Sequence, residues 1–429
     1  CALPISLSGI VNSDVITLVG TGSFANASVG TAKAVTASCT LSGTKASSYT
    51  LTQPTGLTAN ITAAPLTIIG LTANNKVYDG TTAATLSGTA AYSGLVNGET
   101  FTVTGTPTAT FASANVGTGI AVTVTGYTAP SSNYTVAQPS GLTANITKAI
   151  STITATGSTS FTYTGLAQGP NTSTVTGSTG AVTYTYSGTG STVYAATATQ
   201  PTNVGTYQVI AKVAATANYD SAFSSAYAFT INPAALTITA RDTSRVYGST
   251  LAGGAGSNRF TASGLQNGQT IGSVTLSYSS NGNSATDAVG VYANAVIASA
   301  ATGGTFSASN YSITYVNGSI TVTKKSLTIT ANNQTVAYGT AVTTVTGNGS
   351  YTATGFVNGE NTSAISGSVT YTTSYTATTA VGTAGVTITP NVTGLSATNY
   401  SFVGVNGTIT IIKANSTIAA TGITTYTYN

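Results

Sequence analysis

The stretch PTGLTANITAAPLTI (residues 54–68) decides the fold class, because it returns as PSGLTANITKAISTI (residues 139–153). Weaker copies read AYAFTINPAALTI, VNGSITVTKKSLTI and VNGTITIIKANSTI. The isoleucines that anchor the copies, at intervals of 85, 85, 89 and 89 residues, are Ile61, Ile146, Ile231, Ile320 and Ile409. Solenoid repeats are shorter, at about 20 to 50 residues. The observed period fits a small independent domain of the immunoglobulin-like β-sandwich kind.

Three further sequence features recur with nearly the same period. An Asn-Tyr or Ser-Tyr pair ends at Tyr49, Tyr134, Tyr219, Tyr311 and Tyr400. A Val-Gly pair ends at Gly30, Gly117, Gly205, Gly290 and Gly382. A tyrosine that opens a turn recurs as Tyr78, Tyr163, Tyr247 and Tyr338. The next residue is Asp79 in one copy but Thr164, Gly248 and Gly339 in the others, so we interpret the turn as structural and its tyrosine as a packing residue.

The composition predicts an all-β protein. Of the 429 residues, 41% are hydrophobic and 4% are charged, and the frequent Thr, Val, Ile and Tyr suit a pleated, half-buried surface. No window shows sustained apolar spacing of the helical kind. No apolar run is long enough for a membrane helix and no signal peptide is visible. We therefore expect the chain to begin after any export signal or to come from a longer protein.

Seven short runs separated by Gly, Asn, Pro and Ser predict the strands of one module. For residues 65–149 these runs are PLTIIGLT, KVYDG, AATLSGTA, TFTVTGTPTATF, GIAVTVTGY, NYTVAQ and GLTANIT. The sequence VNGE at residues 96–99 predicts a β-hairpin. Alternation predicts that Phe101 and Val103 lie on the buried face of the following strand.

The repeat divides the chain into modules 1 to 5, at residues 1–64, 65–149, 150–234, 235–325 and 326–413, followed by the start of a further module at 414–429. By alignment, module 1 is truncated and has no opening strand or turn. Both ends thus fall inside a module, which predicts a window on a longer array. The short joints, some with proline, leave little room for hinging. Modules about 40 Å long would form an elongated rod on the order of 200 Å.

The residue types exclude most catalytic and cofactor sites. The chain has no His, which removes Ser-His-Asp triads and His-ligated metals. No Asp-x-Asp-x-Asp run indicates calcium. A glycosidase pair is conceivable only as Asp79 with Glu99 or Asp242 with Asp287. From these residue types we expect a protein without catalytic, metal or cofactor residues. The basic residues are scattered and do not form the cluster that nucleic-acid binding requires.

Several features leave alternatives open. Cys1 and Cys39 either form a disulfide, which an oxidising exterior would favour, or are two small buried residues. The repeated tyrosines either pack internally or form a platform that binds sugar. Charged residues that would guard edge strands are rare. We therefore expect either covered edges or chains that associate laterally into a filament.

The sequence resembles the YDG and MBG (mostly bacterial glycine-rich) modules of giant bacterial surface proteins. The similarity rests on KVYDGTTAAT, GLVNGE, NVGTGIAVTVTGY and SSNYTVAQPSGLTANIT in module 2, on VTYTYSGTG and PTNVGTYQVIAKVAATANYDSA in the MBG-like module 3, and spans modules 4 and 5. Such modules occur in filamentous-haemagglutinin-like adhesins and in gliding-motility adhesins of Bacteroidota. Gly248 and Gly339 stand where the YDG pattern has Asp. The sequence YDSA at residues 219–222 also fits a Bacteroidota O-glycosylation pattern, with Ser221 as the candidate.

The resemblance implies an extracellular location and a role as adhesin or filament, without catalytic residues to transfer. We therefore expect a non-catalytic stalk segment of a secreted or surface-anchored bacterial adhesin, whose partners are further modules of the same chain. The alternative is an array of glycan-binding modules that recognise polysaccharide through repeated tyrosine faces. Neither nucleic acid nor membrane insertion is expected.

Overall fold

The structure, a computed structural model, describes residues 6–422 and confirms the prediction of an all-β protein. Within those residues the helices are short: α1 Ser280–Asn283, α2 Val342–Gly347, and single 3-10 turns at Ala46–Ser48, Ala308–Asn310 and Thr362–Ala364. The chain divides into two compact units. The first runs to Gly157 and takes in Pro170–Thr185 and Val209–Tyr227, and the second comprises Ser158–Gly169, Tyr186–Gln208 and the chain from Ala228 onward.

The strands follow the repeat. Modules 1 and 2 contain β1 Thr17–Phe24, β2 Gly30–Ser42, β3 Thr58–Ile61, β4 Ala64–Ala73, β5 Lys76–Val77, β6 Leu86–Ser93, β7 Thr104–Phe111, β8 Gly117–Thr128, β9 Tyr134–Ala137 and β10 Thr143–Thr147. Module 3 contains β11 Thr152–Thr156, β12 Ser160–Thr162, β13 Thr172–Thr176, β14 Val182–Gly188, β15 Gly205–Val213, β16 Ala222–Phe223 and β17 Tyr227–Asn232.

The later modules follow the same order. Module 4 contains β18 Ala234–Ala240, β19 Thr243–Val246, β20 Gly254–Ser257, β21 Phe260–Ser263, β22 Ile271–Tyr278, β23 Gly290–Gly304, β24 Tyr311–Val316 and β25 Gly318–Thr323. Module 5 contains β26 Lys325–Ala331, β27 Gln334–Ala337, β28 Tyr351–Thr354, β29 Ser366–Gly367, β30 Thr370–Thr373, β31 Thr387–Asn391, β32 Leu395–Ser396, β33 Tyr400–Val405 and β34 Gly407–Ile412.

Module 2 shows the arrangement most simply. Its seven predicted strands are all present, in a three-stranded sheet β6-β4-β9 and a four-stranded sheet β5-β10-β8-β7. Leu66 and Ile68 of β4 point inward and are 0% and 7% exposed, while Thr67 between them is exposed. Burying an aliphatic side chain of this size contributes about 1.5–3 kcal/mol. The alternation of apolar and hydroxyl residues therefore fixes which face of the strand meets the core.

Two parallel pairings recur and place the loops that matter below. The opening strand pairs in parallel with the strand that begins at the Asn-Tyr pair, as β4 does with β9, β18 with β24 and β26 with β33. The short strand before the turn tyrosine pairs in parallel with the last strand of its module, as in β5–β10, β12–β17, β19–β25 and β27–β34. These pairings bring the turn tyrosine to the end of the module where the chain leaves it.

Two local predictions are wrong. Asn97 and Gly98 have the positive φ values of a hairpin turn, 56° and 71°, but the flanking strands β6 and β7 belong to different sheets. The strand after this turn begins at Thr104, so Phe101 lies outside it and is 40% exposed. The Phe101 ring packs edge-on against Tyr134, 6.1 Å away between centroids. Because two sheets must be bridged, the VNGE turn spans the module edge instead of closing a hairpin.

The sequence patterns also missed the six-residue helix α2. Its Val and Thr residues are poor helix formers, and so short a segment leaves no periodic signal. Val345 is 1% exposed and joins the core cluster of module 5 with Ile388 and Ile409. Packing of Val345 into the core therefore compensates for the poor intrinsic helix propensity of this segment.

Candidate functional site: the joints between modules

The same hydrogen bond is built at all four joints, which we number 1 to 4 along the chain. The acceptor is the side-chain oxygen of the asparagine that precedes the paired tyrosine. The donor is the backbone N–H of the valine in the Val-Gly pair of the preceding module. The bonds are Val29 to Asn133 at 2.9 Å, Val116 to Asn218 at 3.0 Å, Val204 to Asn310 at 2.9 Å and Val289 to Asn399 at 3.0 Å. These N–H groups are partly buried, so losing the partner costs less than the roughly 1–3 kcal/mol of a fully buried N–H.

The same asparagines also hold the linker. Their backbone carbonyls accept from the N–H of the last residue of the preceding module, as in Ala64 to Asn133 at 2.9 Å, Ala149 to Asn218 at 3.0 Å and Lys325 to Asn399 at 3.0 Å. One residue thus contacts the preceding module through its side chain and the connecting segment through its backbone. Asn310, the member at joint 3, is only 3% exposed.

Joints 2 and 3 carry a second, reciprocal bond between amide side chains. Asn218 donates to Asn115 at 3.0 Å, and Asn310 donates to Asn203 at 3.0 Å. At joint 4 the corresponding position is Ala288, which has no side-chain acceptor. The joints are therefore variants of one design with different numbers of bonds.

The turn tyrosines meet the paired tyrosines of the next module. Tyr78 packs against Tyr219, Tyr163 against Tyr311 and Tyr247 against Tyr400, with centroids 5.4, 5.3 and 5.6 Å apart and ring planes at 77° to 85°. Edge-to-face pairs of this kind contribute about 0.5–1.5 kcal/mol beyond the area that they bury. Tyr163 and Tyr247 are each 3% exposed, whereas Tyr338, the member in module 5, is 45% exposed.

A carboxylate ties both rings together at joint 4. Glu360, which ends the VNGE turn of module 5, accepts from the Tyr247 hydroxyl at 2.9 Å and from the Tyr400 hydroxyl. The Tyr400 hydroxyl in turn accepts from the N–H of Val357 at 3.2 Å. Burial, reinforced by the hydrogen bond to Glu360, raises the pKa of Tyr400 to about 12. The phenol therefore remains a proton donor over the whole physiological range.

Other modules use the same turn with different end residues. At joint 3, Gln269 replaces the acid, accepting from Tyr311 and donating to Tyr163 at 2.9 Å. In module 2, Tyr134 donates to Glu99 at 2.6 Å, and this bond, with burial, raises the pKa of Tyr134. In module 1, the Tyr49 hydroxyl donates to Asp14 at 2.9 Å. The last residue of the VNGE-type turn thus binds the hydroxyl of the paired tyrosine in modules 1, 2, 4 and 5.

Glycine after the turn tyrosine is required by the next module at joint 4. Gly248 has φ +83°, and a Cβ added there would lie 2.4 to 2.9 Å from side-chain carbons of Val357. The Asn358 side chain also donates to the carbonyl of Ala285 in module 4, at 2.9 Å. Gly339 has nearly the same φ, +85°, but no atom lies within 4 Å of its added Cβ. Close approach of the two turns is therefore specific to the occupied joint.

The remaining candidate residues are dispersed. Cys1 lies outside the described residues, and Cys39 is buried in β2, where Gln53 binds its backbone N–H and C=O at 2.8 and 2.6 Å. Ser221 is exposed directly before β16. Asp79 accepts from the Lys76 ammonium at 2.8 Å and from the N–H of Thr81, and these bonds lower the pKa of Asp79 to about 2.

The acidic residues considered for glycosidase chemistry have structural partners. Asp287 accepts from the N–H groups of Gly282 and Ser284 at 2.7 and 2.8 Å and lies 3.5 Å from the Arg245 guanidinium. Asp242 accepts from the N–H of Ser319 at 2.7 Å. Among residues 6–422, no cluster of three or more Cys, Asp or Glu could hold a metal ion. No helix in that range is long and apolar enough to span a membrane.

The asparagines of the joints are the residues whose role sequence reasoning missed. The Asn-Tyr and Val-Gly pairs were both visible as recurrent marks. Each asparagine nevertheless lies 102 to 110 residues from its valine, in the preceding copy. The signal that points to the contact is that the Asn-Tyr and Val-Gly pairs recur together, although neither strand alternation nor turn chemistry requires them.

Comparison with known families finds two types of domain in the chain. Residues 2–56 and 62–141 match the YDG domain, and residues 236–321 and 327–410 match the MBG domain of the YGX type. The chain carries YDG and MBG domains. The MBG matches fall in modules 4 and 5, where the turns read Tyr247-Gly248-Ser249 and Tyr338-Gly339-Thr340. Gly248 and Gly339 therefore accord with the matched type. No curated protein is significantly similar to the chain.

Proposed function

We propose that this chain is a non-catalytic stalk segment of a secreted or surface-anchored bacterial adhesin or extracellular filament. Its YDG and MBG domains would act as immunoglobulin-like modules in an elongated rod. The observation that carries the proposal is the asparagine-to-valine bond repeated at all four joints. A chain whose modules acted independently would have no reason to repeat a specific contact between neighbours.

The joint chemistry suits a load-bearing spacer. The N–H···O bond and the crossed rings each contribute on the order of 1 kcal/mol, and a hydrogen bond to a carboxylate contributes more. The connection itself is short, since β10 ends at Thr147 and β11 begins at Thr152. A short linker with side-chain locks on both sides resists bending, because bending must break several contacts at once. Reach and stiffness are then the function of the segment.

Burial of the tyrosines disfavours the alternative of a polysaccharide-binding array. Recognition through repeated tyrosine faces needs rings that are open to solvent. Tyr163 and Tyr247 are instead 3% exposed and engaged by neighbouring modules. We therefore propose that the tyrosines hold neighbouring modules of the stalk together. Further modules of the same chain are then its principal partners.

Small-angle X-ray scattering of the purified chain tests this proposal. We expect a maximum dimension on the order of 200 Å for five modules in a row. Changing Asn133, Asn218, Asn310 and Asn399 together to alanine should broaden the distance distribution, because every joint loses its lock. Asn171→Ala, at an exposed position of module 3, is the control. A compact wild-type chain, or a quadruple variant as extended and rigid as wild type, would reject the stalk. Antibody labelling of intact source cells would test the extracellular location.

A further inference from the structure

Tyrosine is the principal oxidisable side chain of this protein. The chain has 24 Tyr and lacks Trp, Met and His, and its two cysteines both lie in module 1. Met and Cys are the side chains that commonly take up oxidising equivalents in proteins. Because modules 2 to 5 contain neither, a one-electron oxidant that reaches them acts on tyrosine.

Two tyrosines can be joined by oxidation where their rings touch. Each phenol loses one electron and its hydroxyl proton, and the two phenoxyl radicals couple through the ring carbons next to the oxygens. Among the described residues, four pairs of tyrosine rings lie with centroids 5.3 to 5.7 Å apart. They are Tyr78 with Tyr219, Tyr163 with Tyr311, Tyr194 with Tyr207, and Tyr247 with Tyr400.

One of these pairs has a group that takes up the proton. A carboxylate accepts a proton outright, whereas an amide oxygen accepts a hydrogen bond and leaves the proton on the phenol. In the pair inside module 3, both hydroxyls donate to backbone carbonyls. At joint 3 the Tyr311 hydroxyl donates to the amide of Gln269. At joint 4 both hydroxyls donate to the carboxylate of Glu360.

Carboxylates elsewhere in the described chain bind a tyrosine that has no tyrosine partner. Tyr134 donates to Glu99 at 2.6 Å, but the ring beside it is Phe101, which carries no hydroxyl. Tyr49, which is bonded to Asp14, belongs to none of the four pairs. Within the described residues, the proton acceptor and the second phenol therefore coincide at joint 4.

Glu360 brings the two hydroxyls of joint 4 to one group. Its Oε1 accepts from Tyr247 at 2.9 Å and its Oε2 accepts from Tyr400. Since both oxygens belong to one carboxylate, the phenolic oxygens converge, and the adjacent ring carbons converge with them. The two tyrosines are 3% and 1% exposed, so radicals formed here are shielded from solvent. The other ring against Tyr400 is that of Phe356, 5.5 Å away, which has no phenol to react.

We propose that Tyr247 and Tyr400 form a modification site, at which a one-electron oxidant joins modules 4 and 5 through a carbon–carbon bond. The first tyrosine gives its electron to the oxidant and its proton to Glu360. Glu360 is half buried and passes this proton to water, which frees it to accept the second. The radicals couple, and the two ring-carbon protons move to the phenolic oxygens. Two electrons and two protons leave in all, so the product is lighter by two hydrogen atoms.

The new bond holds joint 4 closed. Without it, opening of the joint separates the rings and breaks the hydrogen bonds to Glu360. A carbon–carbon bond between the rings prevents that separation. The value of such a lock rests on the proposed stalk function, in which stiff joints matter. The reaction itself depends only on the arrangement of Tyr247, Glu360 and Tyr400.

Photo-oxidation of the purified full chain with tris(bipyridine)ruthenium and persulfate, followed by peptide mapping with tandem mass spectrometry, tests the assignment. A low protein concentration keeps coupling between chains rare. We expect a cross-linked peptide that joins Tyr247 to Tyr400, in larger yield than the links at joints 2 and 3. Glu360→Gln, which copies the Gln269 of joint 3, should lower this yield roughly 10²-fold, the lower end of what a positioned proton acceptor contributes.

Glu99→Gln makes the same change beside Tyr134 and should give the wild-type yield. Hydrogen exchange at Val289, whose N–H is bonded across the joint, should slow on oxidation of wild type but not of Tyr247→Phe. Equal yields at the three joints, which need no variant to compare, would overturn the proposal. So would an undiminished yield in Glu360→Gln, or exchange at Val289 that oxidation leaves unchanged in wild type. The scattering test of the stalk uses unoxidised chains, so the two proposals fail separately.

Discussion

Replacing Gly248 by alanine should open joint 4, whereas the same change at Gly339 should not disturb any joint. The two glycines have nearly equal φ values, +83° and +85°. An added Cβ at Gly248 would lie 2.4, 2.8 and 2.9 Å from carbons of the Val357 side chain. At Gly339 the added Cβ meets nothing within 4 Å. The pair of variants therefore separates the cost of the backbone from the cost of the joint.

The magnitude follows from these distances. Both alanines pay about 1–2 kcal/mol for a left-handed backbone conformation. Only Gly248→Ala adds overpacking, which typically costs 1–3 kcal/mol. Val357 cannot turn away cheaply, because rotation of its β-branched side chain is restricted and all three contacted carbons are close to its backbone. The excess of about 1–3 kcal/mol should raise the population of the open joint roughly 5- to 150-fold.

Hydrogen–deuterium exchange with mass spectrometry is the appropriate assay. The chain has no Trp to report unfolding, and a multi-module chain does not unfold in two states. We expect Gly248→Ala to accelerate exchange at Val357 and Val289, whose N–H groups are bonded to Tyr400 and Asn399 at the joint. Gly339→Ala should leave both unchanged. Equal exchange in the two variants would refute the claim that the next module, and not the backbone alone, requires glycine at this position.

Three further outcomes follow. The pKa of Tyr400 is raised from 10.0 to about 12, so the contribution of this phenol to stability is complete below pH 10 and is lost as the pH rises through 12. The melting temperature should therefore fall more between pH 10 and pH 12 in wild type than in Tyr400→Phe. Ala288→Asn should supply the missing acceptor for Asn399 and slow exchange at joint 4 about 2- to 10-fold, while equal rates would show that the second bond does not form. The Asp79 carboxyl should titrate near pH 2 by NMR, so its contribution is present above pH 3.8 and lost as the pH falls through 2; Lys76→Met should move that titration upward.

The strands of module 2 were predictable because one physical pattern determines them. Leu66, Thr67 and Ile68 alternate between core and solvent, and a one-residue slip would expose both apolar side chains. The period of the repeat then predicts the corresponding strands in the other modules. Phe101 was misplaced for the opposite reason: it follows an alternating pattern locally, but the chain there crosses from one sheet to the other.

The joints could not be predicted by the same reasoning, since the contact partners are polar and lie in different copies of the repeat. Asn218 and Val116 are 102 residues apart, and neither sits in a periodic run. The Asn-Gly sequence in VNGE was also misleading, because positive φ at both residues is the signature of a hairpin. That backbone geometry is present at Asn358 and Gly359, with φ 56° and 75°. It serves to present Glu360 to two tyrosines instead of joining paired strands.

The variation among joints indicates which contact tolerates exchange. The asparagine-to-valine bond is present at all four. The ring pair is likewise present at joints 2, 3 and 4, the three joints that follow a turn tyrosine in this sequence. The residue that binds both hydroxyls differs, since it is Glu360 at joint 4 and Gln269 at joint 3. An amide oxygen accepts a hydrogen bond from a hydroxyl as a carboxylate does, so this position tolerates exchange. Modules of different subtype can therefore alternate in one array, because they share the asparagine-to-valine bond and the ring pair while the acceptor of the hydroxyls can differ.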